Sequence, residues 1–236
     1  MTFVGTYSKF KSMRTCPKKF HLMEVTKEVK WGQKGPQAIE GERYHRWLAK
    51  AMEVGLDMPA SMRDAQWVLD HVRQRVVYQG VDYEDPKQTI LCEERFGITS
   101  KLKPCDFFAG DVRFRGIIDL LIIDGRHAYI ADYKNGKLYP DPEQLDDMAL
   151  LVFAHFQQVD SITAELLFIK HPDSAGQHVE QYERADVKQL ALSLKKRFGE
   201  YARRLDEDDW PARSSGLCKE WCEVPNSICK FSGKAG

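Results

Sequence analysis

The longest apolar pattern in this 236-residue chain covers residues 116–137, GIIDLLIIDGRHAYIADYKNGK. Ile117, Ile118, Leu120, Leu121, Ile122 and Ile123 form a run of buried-strand length, Asp124-Gly125 is a hairpin signal, and residues 128–133 resume strand-like composition. A strand, a tight turn and a second strand are therefore predicted. Asp119 interrupts the first run, while Asp132 and Lys134, two apart at the end of the second, leave the same face of it.

Upstream, helical periodicity dominates. Thr6-Tyr7-Ser8 opens a short capped helix with Phe10, Met13 and Phe20 as its apolar contacts, and Cys16-Pro17 ends it. Residues 28–36 read as a loop and 37–54 as a helix with Gly41, His45, Leu48 and Met52 on one face. Residues 61–78 read as an amphipathic helix, started by Ser61 and Asp64 and buried along Val68, Leu69, Val72 and Val76. A strand over 88–98 sends Glu93 and Glu94 to opposite faces, and 101–115 form a loop or hairpin.

Downstream, Asp141 is placed to cap a helix starting at Pro142, with Leu145, Met148, Ala149, Val152 and Phe156 inward. Strands are predicted at 161–169 and 178–182. Asp186 then caps a long helix striped by Val187, Leu190, Leu194, Phe198, Tyr201 and Leu205. The order predicts an α/β fold.

A hydrophobic content of 43% supports a real core. Lys+Arg and Asp+Glu both number 35, so overall charge gives no case for a polyanionic partner. The distribution changes that picture. Residues 1–34 carry eight basic side chains, Lys9, Lys11, Arg14, Lys18 and Lys19 among them, against two acidic ones, an arm able to neutralise phosphates. No apolar run is of bilayer-spanning length and the N-terminus lacks a signal-peptide core, so no membrane association and a cytoplasmic location are expected. Six cysteines are then not a disulfide framework.

Two carboxylates inside a sheet are tolerable when a divalent cation lies between them, since hard oxygen ligands suit Mg²⁺. A lysine beside them is suited to holding a water or offsetting phosphate charge. The plainer alternative for Asp132-x-Lys134 is a solvated ion pair at a strand end. His45 reads as a packed core histidine or as a group facing a substrate that approaches over Gly41. The tail from Trp210 has Pro, Ser and Gly, little periodicity, and Cys218, Cys222 and Cys229. It is either clasped by a metal, with Cys16 as a fourth ligand, or carries reduced thiols.

Taken in order, SKFKSMRTCPKKF, GERYH, the strand LCEERFGIT, GIID, IADYKNGK, a following glutamine and the terminal cysteines resemble the RecB-like branch of the PD-(D/E)XK nucleases, which includes CRISPR-associated and phage-type exonucleases. The PCDFF segment and WPARSSGLCKEWC are most similar to phage-type members. The resemblance implies a restriction-endonuclease-like core: a central mixed β-sheet flanked by helices, with an N-terminal helical part and a C-terminal Cys-rich clasp. One nuclease domain over 1–236 is expected, divided into a basic arm and helical region (1–86), the core (87–209) and a tail packing back on the N-terminus (210–236).

It also implies that Asp119, Asp132 and Glu93, with His45 and the backbone carbonyl of Tyr133, hold Mg²⁺ or Mn²⁺, that Lys134 lies near the attacking water, and that Gln144 serves the site. Glu94 is the alternative to Glu93. The family's tyrosine after that glutamine is missing, with Met148 and Ala149 in its neighbourhood. Cys16, Cys218, Cys222 and Cys229 match the iron-sulfur members and would hold a 4Fe-4S cluster, zinc or no metal. Their terminal spacing, Cys-x3-Cys-x6-Cys, departs from the commonest family pattern by one residue in each gap.

The implied activity is metal-dependent exonucleolytic hydrolysis of linear DNA with a free end, in phage or bacterial recombination, repair or processing, alongside a single-strand annealing or recombination partner. The rivals are a structure-specific endonuclease on the same fold and a catalytically inactive DNA-binding or assembly protein.

Overall fold

A computed structural model describes residues 3–77, 88–172 and 176–234. In chain order the elements are α1 (Tyr7–Thr15), α2 (Pro17–Phe20), a π-type turn (His21–Val25), α3 (Pro36–Val54), a 3-10 turn (Ala60–Ala65), α4 (Gln66–Val77), β1 (Gln88–Thr99), β2 (Pro104–Cys105), β3 (Val112–Asp124), β4 (His127–Lys134), α5 (Pro142–His155), β5 (Ser161–Phe168), β6 (Gln177–Glu183) and α6 (Val187–Glu207). The six strands form one mixed sheet in the order β2-β1-β3-β4-β5-β6. Every neighbouring pair is antiparallel except β4 and β5, whose parallel pairing is made possible by the crossover through α5.

The chain divides into two compact units, Met1–Val4 with Lys34–Ala191, and Gly5–Gln33 with Leu192–Gly236. In the first, α3 and α4 bury Tyr44, Leu48, Val68, Leu69 and Val72 against Leu120, Ile122, Tyr129 and Leu167 of the sheet. Helix α5 is buried from Met148 to Ala154, and His155 at its end donates to the Gly97 carbonyl at 2.8 Å. In the second unit, Phe10 meets Phe198 edge-on at 5.0 Å and His21 stacks on Trp210 at 4.7 Å. Leu22, Met23, Val29 and Val224 form a small cluster there, with Cys222 and Cys229 packed on it.

Several local expectations are corrected. Residues 61–65 are a 3-10 turn, not the first turn of a helix: Met62 leaves helical geometry (φ −133°), and Asp64 accepts the Tyr44 hydroxyl at 2.7 Å instead of capping. The helix itself begins at Gln66, and its expected end at Tyr78 lies outside the described residues, as does the expected boundary between 86 and 87. Asp141 occupies the N-cap of α5 without a side-chain capping bond. Asp186 instead closes a capping box with Glu183 around a 3-10 turn that precedes α6. The buried line of α6 ends on Arg204, held by the Asp209 carbonyl at 2.7 Å, and Leu205 is left exposed. Among the described residues, no helix is long and apolar enough to cross a membrane.

Candidate active site

The site is built at a fork in the sheet. Pairing of β3 with β4 runs from Asp124↔His127 to Leu120↔Ala131; past that rung β3 stays with β1 and β4 with β5. The first residues beyond the fork are Asp119 and Asp132, 6% and 3% exposed. Side chains take over the backbone groups of Tyr133 there. Its N–H donates to Asp119 Oδ2 at 2.8 Å, and its carbonyl lies 3.0 Å from His45 Nε2 on α3.

A carbonyl can only accept, so Nε2 carries the proton of that bond. The other ring nitrogen, Nδ1, is thereby turned toward the carboxylates, 3.2 Å from Asp119 Oδ1 and 3.5 Å from Glu93 Oε1. Burial alone would lower the His45 pKa, but Asp119 and Glu93, with Asp132 behind them, outweigh it and push it up to about 10. Positive charge is favoured at this point, and a cation seated there would stand in for the ring proton.

Glu93 reaches the site through an unusual backbone. It lies in the middle of β1 at φ +52°, in the left-handed region that costs a non-glycine residue about 1 kcal/mol. The register on either side, Cys92↔Leu120 and Glu94↔Ile118, sets Glu93 opposite Asp119. Of the two glutamates it is Glu93 whose carboxylate approaches His45; Glu94 pairs in the ladder with Ile118.

Asp132 is held differently. Gln144, in the first turn of α5, donates to its Oδ1 at 2.5 Å, and Lys134 forms an ion pair with its Oδ2. Burial raises the Asp132 pKa, Lys134 opposes the rise and Asp119 adds to it, leaving the carboxyl at about 6. The ligand atoms of His45, Glu93 and Asp119 lie within 4.8 Å of one another, a donor set of one imidazole and two carboxylates that fits a divalent cation. A groove of about 940 Å³ runs from His45 and Glu93 along α3, past Gly41, Glu42, Arg46 and Lys50. A Cβ on Gly41 would come no closer than 3.8 Å to Asn135, so that glycine leaves open space instead of admitting another backbone.

The other expected residues lie in the second unit. All six cysteines are free and half-buried, Cys92 and Cys105 in the first unit and the four candidate ligands in the second. Lys18, two residues after Cys16, donates through its N–H to the Pro211 carbonyl at 3.2 Å and through its ammonium to the Ile228 carbonyl at 2.8 Å, which ties the chain beside Cys16 to the residue before Cys229. Among the described residues, the four candidate sulfurs do not form a group as tight as that of His45, Glu93 and Asp119. Of the basic arm, Lys9 pairs with Glu24 at 3.5 Å, Lys11 bonds the Tyr7 hydroxyl at 2.9 Å, and Lys19 lies over the Trp31 ring. The Arg14 carbonyl accepts from Arg213 at 2.7 Å.

The sequence reading missed one buried acid. Glu165 on β5, 1% exposed, accepts from the Tyr129 hydroxyl and from His71, both at 2.7 Å, and from Arg75 at 2.5 Å. Its signal was the same as that of Asp119, a lone carboxylate in an apolar run, SITAELLFI.

The model of the PD-(D/E)XK nuclease superfamily matches residues 6–230. The chain belongs to that superfamily. Its mixed six-stranded sheet with flanking helices is the superfamily's restriction-endonuclease-like fold. No curated protein is significantly similar in sequence. Among solved structures, SSO0001 aligns with 96% of this chain and 85% of its own at 12% identity and a TM-score of 0.43. LHK-Exo in complex with dAMP aligns over 86% and 93% at 14% identity and 0.31, and the alkaline exonuclease LHK-Exo from Laribacter hongkongensis over 85% and 98% at 14% and 0.30. At such scores the sheet topology and the family match carry the fold assignment alone.

Proposed function

We propose that this nuclease is a divalent-cation-dependent exonuclease acting on linear DNA. The observation that carries the reading is the fork: it sets His45, Glu93 and Asp119 within 4.8 Å of one another, beside an Asp132 whose burial Lys134 does not fully offset. Mg²⁺ or Mn²⁺ would be held by Asp119, Glu93 and His45 Nδ1 with Asp132 beside them, and when bound supplies Lewis acidity that acidifies water and offsets phosphate charge; the Tyr133 carbonyl, expected as a further ligand, is instead taken by Nε2 on the opposite side of the imidazole. The chain does the rest. His45 fixes the Tyr133 carbonyl through Nε2, Gln144 fixes Asp132, and Lys134 orients the attacking water and takes part in its deprotonation. Lys9, Lys11, Arg14, Lys18 and Lys19 supply contacts to the DNA backbone, which makes binding salt-sensitive and indifferent to sequence. The exonuclease assignment rests on the RecB-like landmarks around these residues.

End-labelled linear DNA and covalently closed circles, incubated with Mg²⁺ or Mn²⁺, test it. Progressive loss of the linear substrate with the circles spared is expected. Cutting of closed circles would make the protein an endonuclease, and no cutting of either a DNA-binding or assembly protein.

The four cysteines are proposed to hold a 4Fe-4S cluster that clasps the second unit. Support comes from the tie through Lys18 and from a donor set of four reduced thiols. Tetrahedral zinc, with Zn–S bonds near 2.3 Å, would need sulfurs about 3.8 Å apart, whereas a cubane cluster spaces its cysteines more widely. Protein purified without oxygen should be brown, contain iron and bleach when Cys218→Ser is introduced. A colourless, iron-free protein of full activity overturns the clasp.

A further inference from the structure

The loop joining β2 to β3 carries a feature that the hydrolytic site does not use. Phe108 is 72% exposed, with its ring 4.9 Å from that of Phe107. Two guanidiniums lie over this pair: Arg115 at 4.5 Å from Phe107 and 5.3 Å from Phe108, and Arg95 at 5.7 Å and 6.0 Å. Arg115 is fixed by a 2.9 Å bond to the Phe107 carbonyl, and its Nε is buried without a hydrogen-bond partner. Residues 95–115 contain five cationic side chains against two carboxylates, Asp106 and Asp111. A solvent-facing phenyl ring set beside two arginines is poorly suited to an apolar protein surface, because burying it there would desolvate two guanidiniums. A nucleotide offers both groups it lacks, a π-face for the ring and a phosphate for the arginines.

The position agrees with the chemistry. Arg95 lies two residues beyond Glu93 on β1, Arg115 lies four before Asp119 on β3, and Gly97↔Arg115 and Arg95↔Ile117 are in register. At about 3.4 Å per residue the two arginines are roughly 7 and 14 Å along their strands from those carboxylates, a span of a few nucleotides. Ile117, 41% exposed, lies between them.

We propose that Phe108, with Arg95 and Arg115 beside it, is a stacking surface for an unpaired base of single-stranded DNA next to the hydrolytic site. The proposal rests on the nuclease reading of that site. Binding of a fluorescent single-stranded oligonucleotide and of a blunt duplex of equal length, measured by anisotropy on the full chain in EDTA, tests it apart from cleavage. Phe108→Ala should weaken single-strand binding by about tenfold, the scale of one base–aromatic stack, and duplex binding less than twofold. Phe108→Trp should restore single-strand affinity. Unchanged single-strand affinity in Phe108→Ala, an equal loss for both DNAs, or a change confined to self-association in sedimentation overturns the stacking surface. A wild-type protein that binds single strands through Phe108 but cuts no DNA with Mg²⁺ or Mn²⁺ overturns the nuclease reading and leaves the surface standing.

Discussion

Two buried acids on neighbouring strands, Glu165 and Asp132, are treated in opposite ways by the same fold. They lie one rung apart, since Ala131 pairs with Glu165 and Asp132 with Leu166. Burial works against the charge of both. For Glu165 the penalty is outweighed by His71, Tyr129 and Arg75, and its pKa is held below the ordinary glutamate range. For Asp132 one lysine and one amide do not suffice while Asp119 stands nearby, and its pKa rises to about 6. The protein has supplied its own counter-charge to the first acid and left the second short of one. A buried carboxylate is therefore informative through its unmet need for positive charge, and burial alone does not mark a site.

The comparison breaks first on activity. Asp119→Asn should abolish cleavage of end-labelled DNA, and Lys134→Ala should lower it by about 10³-fold, within the range of a lost general acid–base group. Both variants should keep the wild-type circular dichroism spectrum and bind DNA within a few-fold of wild type. Lys134→Ala at full turnover would falsify the role given to that lysine.

Glu165 should show the reverse pattern. Glu165→Ala leaves Tyr129 and His71 without their acceptor inside the core, and removing one side of such a network costs about 3–5 kcal/mol. A fall in Tm of roughly 6–20 °C follows for a chain of this size. Turnover per folded molecule, measured well below the melting point, should not change. A variant that melts normally and has lost activity would exchange the roles assigned to the two acids.

The pH dependence carries the same contrast. Because the folded-state pKa of Glu165 is depressed, its contribution to stability is complete above the unfolded glutamate value, near pH 4.3, and is lost as pH falls through the folded value. Arg75→Met removes one cause of that depression, so acid unfolding followed by circular dichroism should begin at a higher pH. Arg75 is 43% exposed and His71 remains, which limits the loss at neutral pH to about 1 kcal/mol. An acid limb that does not move would show that Arg75 is screened by solvent.

Much of this arrangement was legible in the chain because it follows from alternation. The hairpin around Asp124-Gly125, the interruption at Asp119 and the Asp132-x-Lys134 spacing all read directly from side-chain period, and β4 lies close to its predicted bounds, whereas β3 begins at Val112, inside the stretch read as a loop or hairpin. What alternation does not encode came only from the family resemblance, which names Glu93 and Gln144 without their geometry, or was not read at all. Nothing in Cys92-Glu93-Glu94 announces a residue at φ +52°, and the turn of Glu93 toward His45 depends on that local strain. The fork after Leu120↔Ala131 is a tertiary event, as is the return of Gln144 to Asp132 from the far side of a loop. Glu165 was passed over because its partners come from α4 and β4, more than thirty residues away in either case.

The smallest expected effect is the most direct test of the comparison. Asp132→Asn keeps an oxygen to accept from Gln144 and removes a buried negative charge that faces Asp119. Lys134 loses its ion pair, but it is already 29% exposed and can turn its ammonium to water. In EDTA the variant should therefore melt at or slightly above the wild-type temperature, a gain of about 1 kcal/mol or less, while cleavage with Mg²⁺ is lost. Such a trade of function for stability is what an acid kept for a cation should show. If Asp132→Asn instead loses as much stability as Glu165→Ala, both acids are structural, and the fork at Asp119 and Asp132 is a packing solution without a cation to hold.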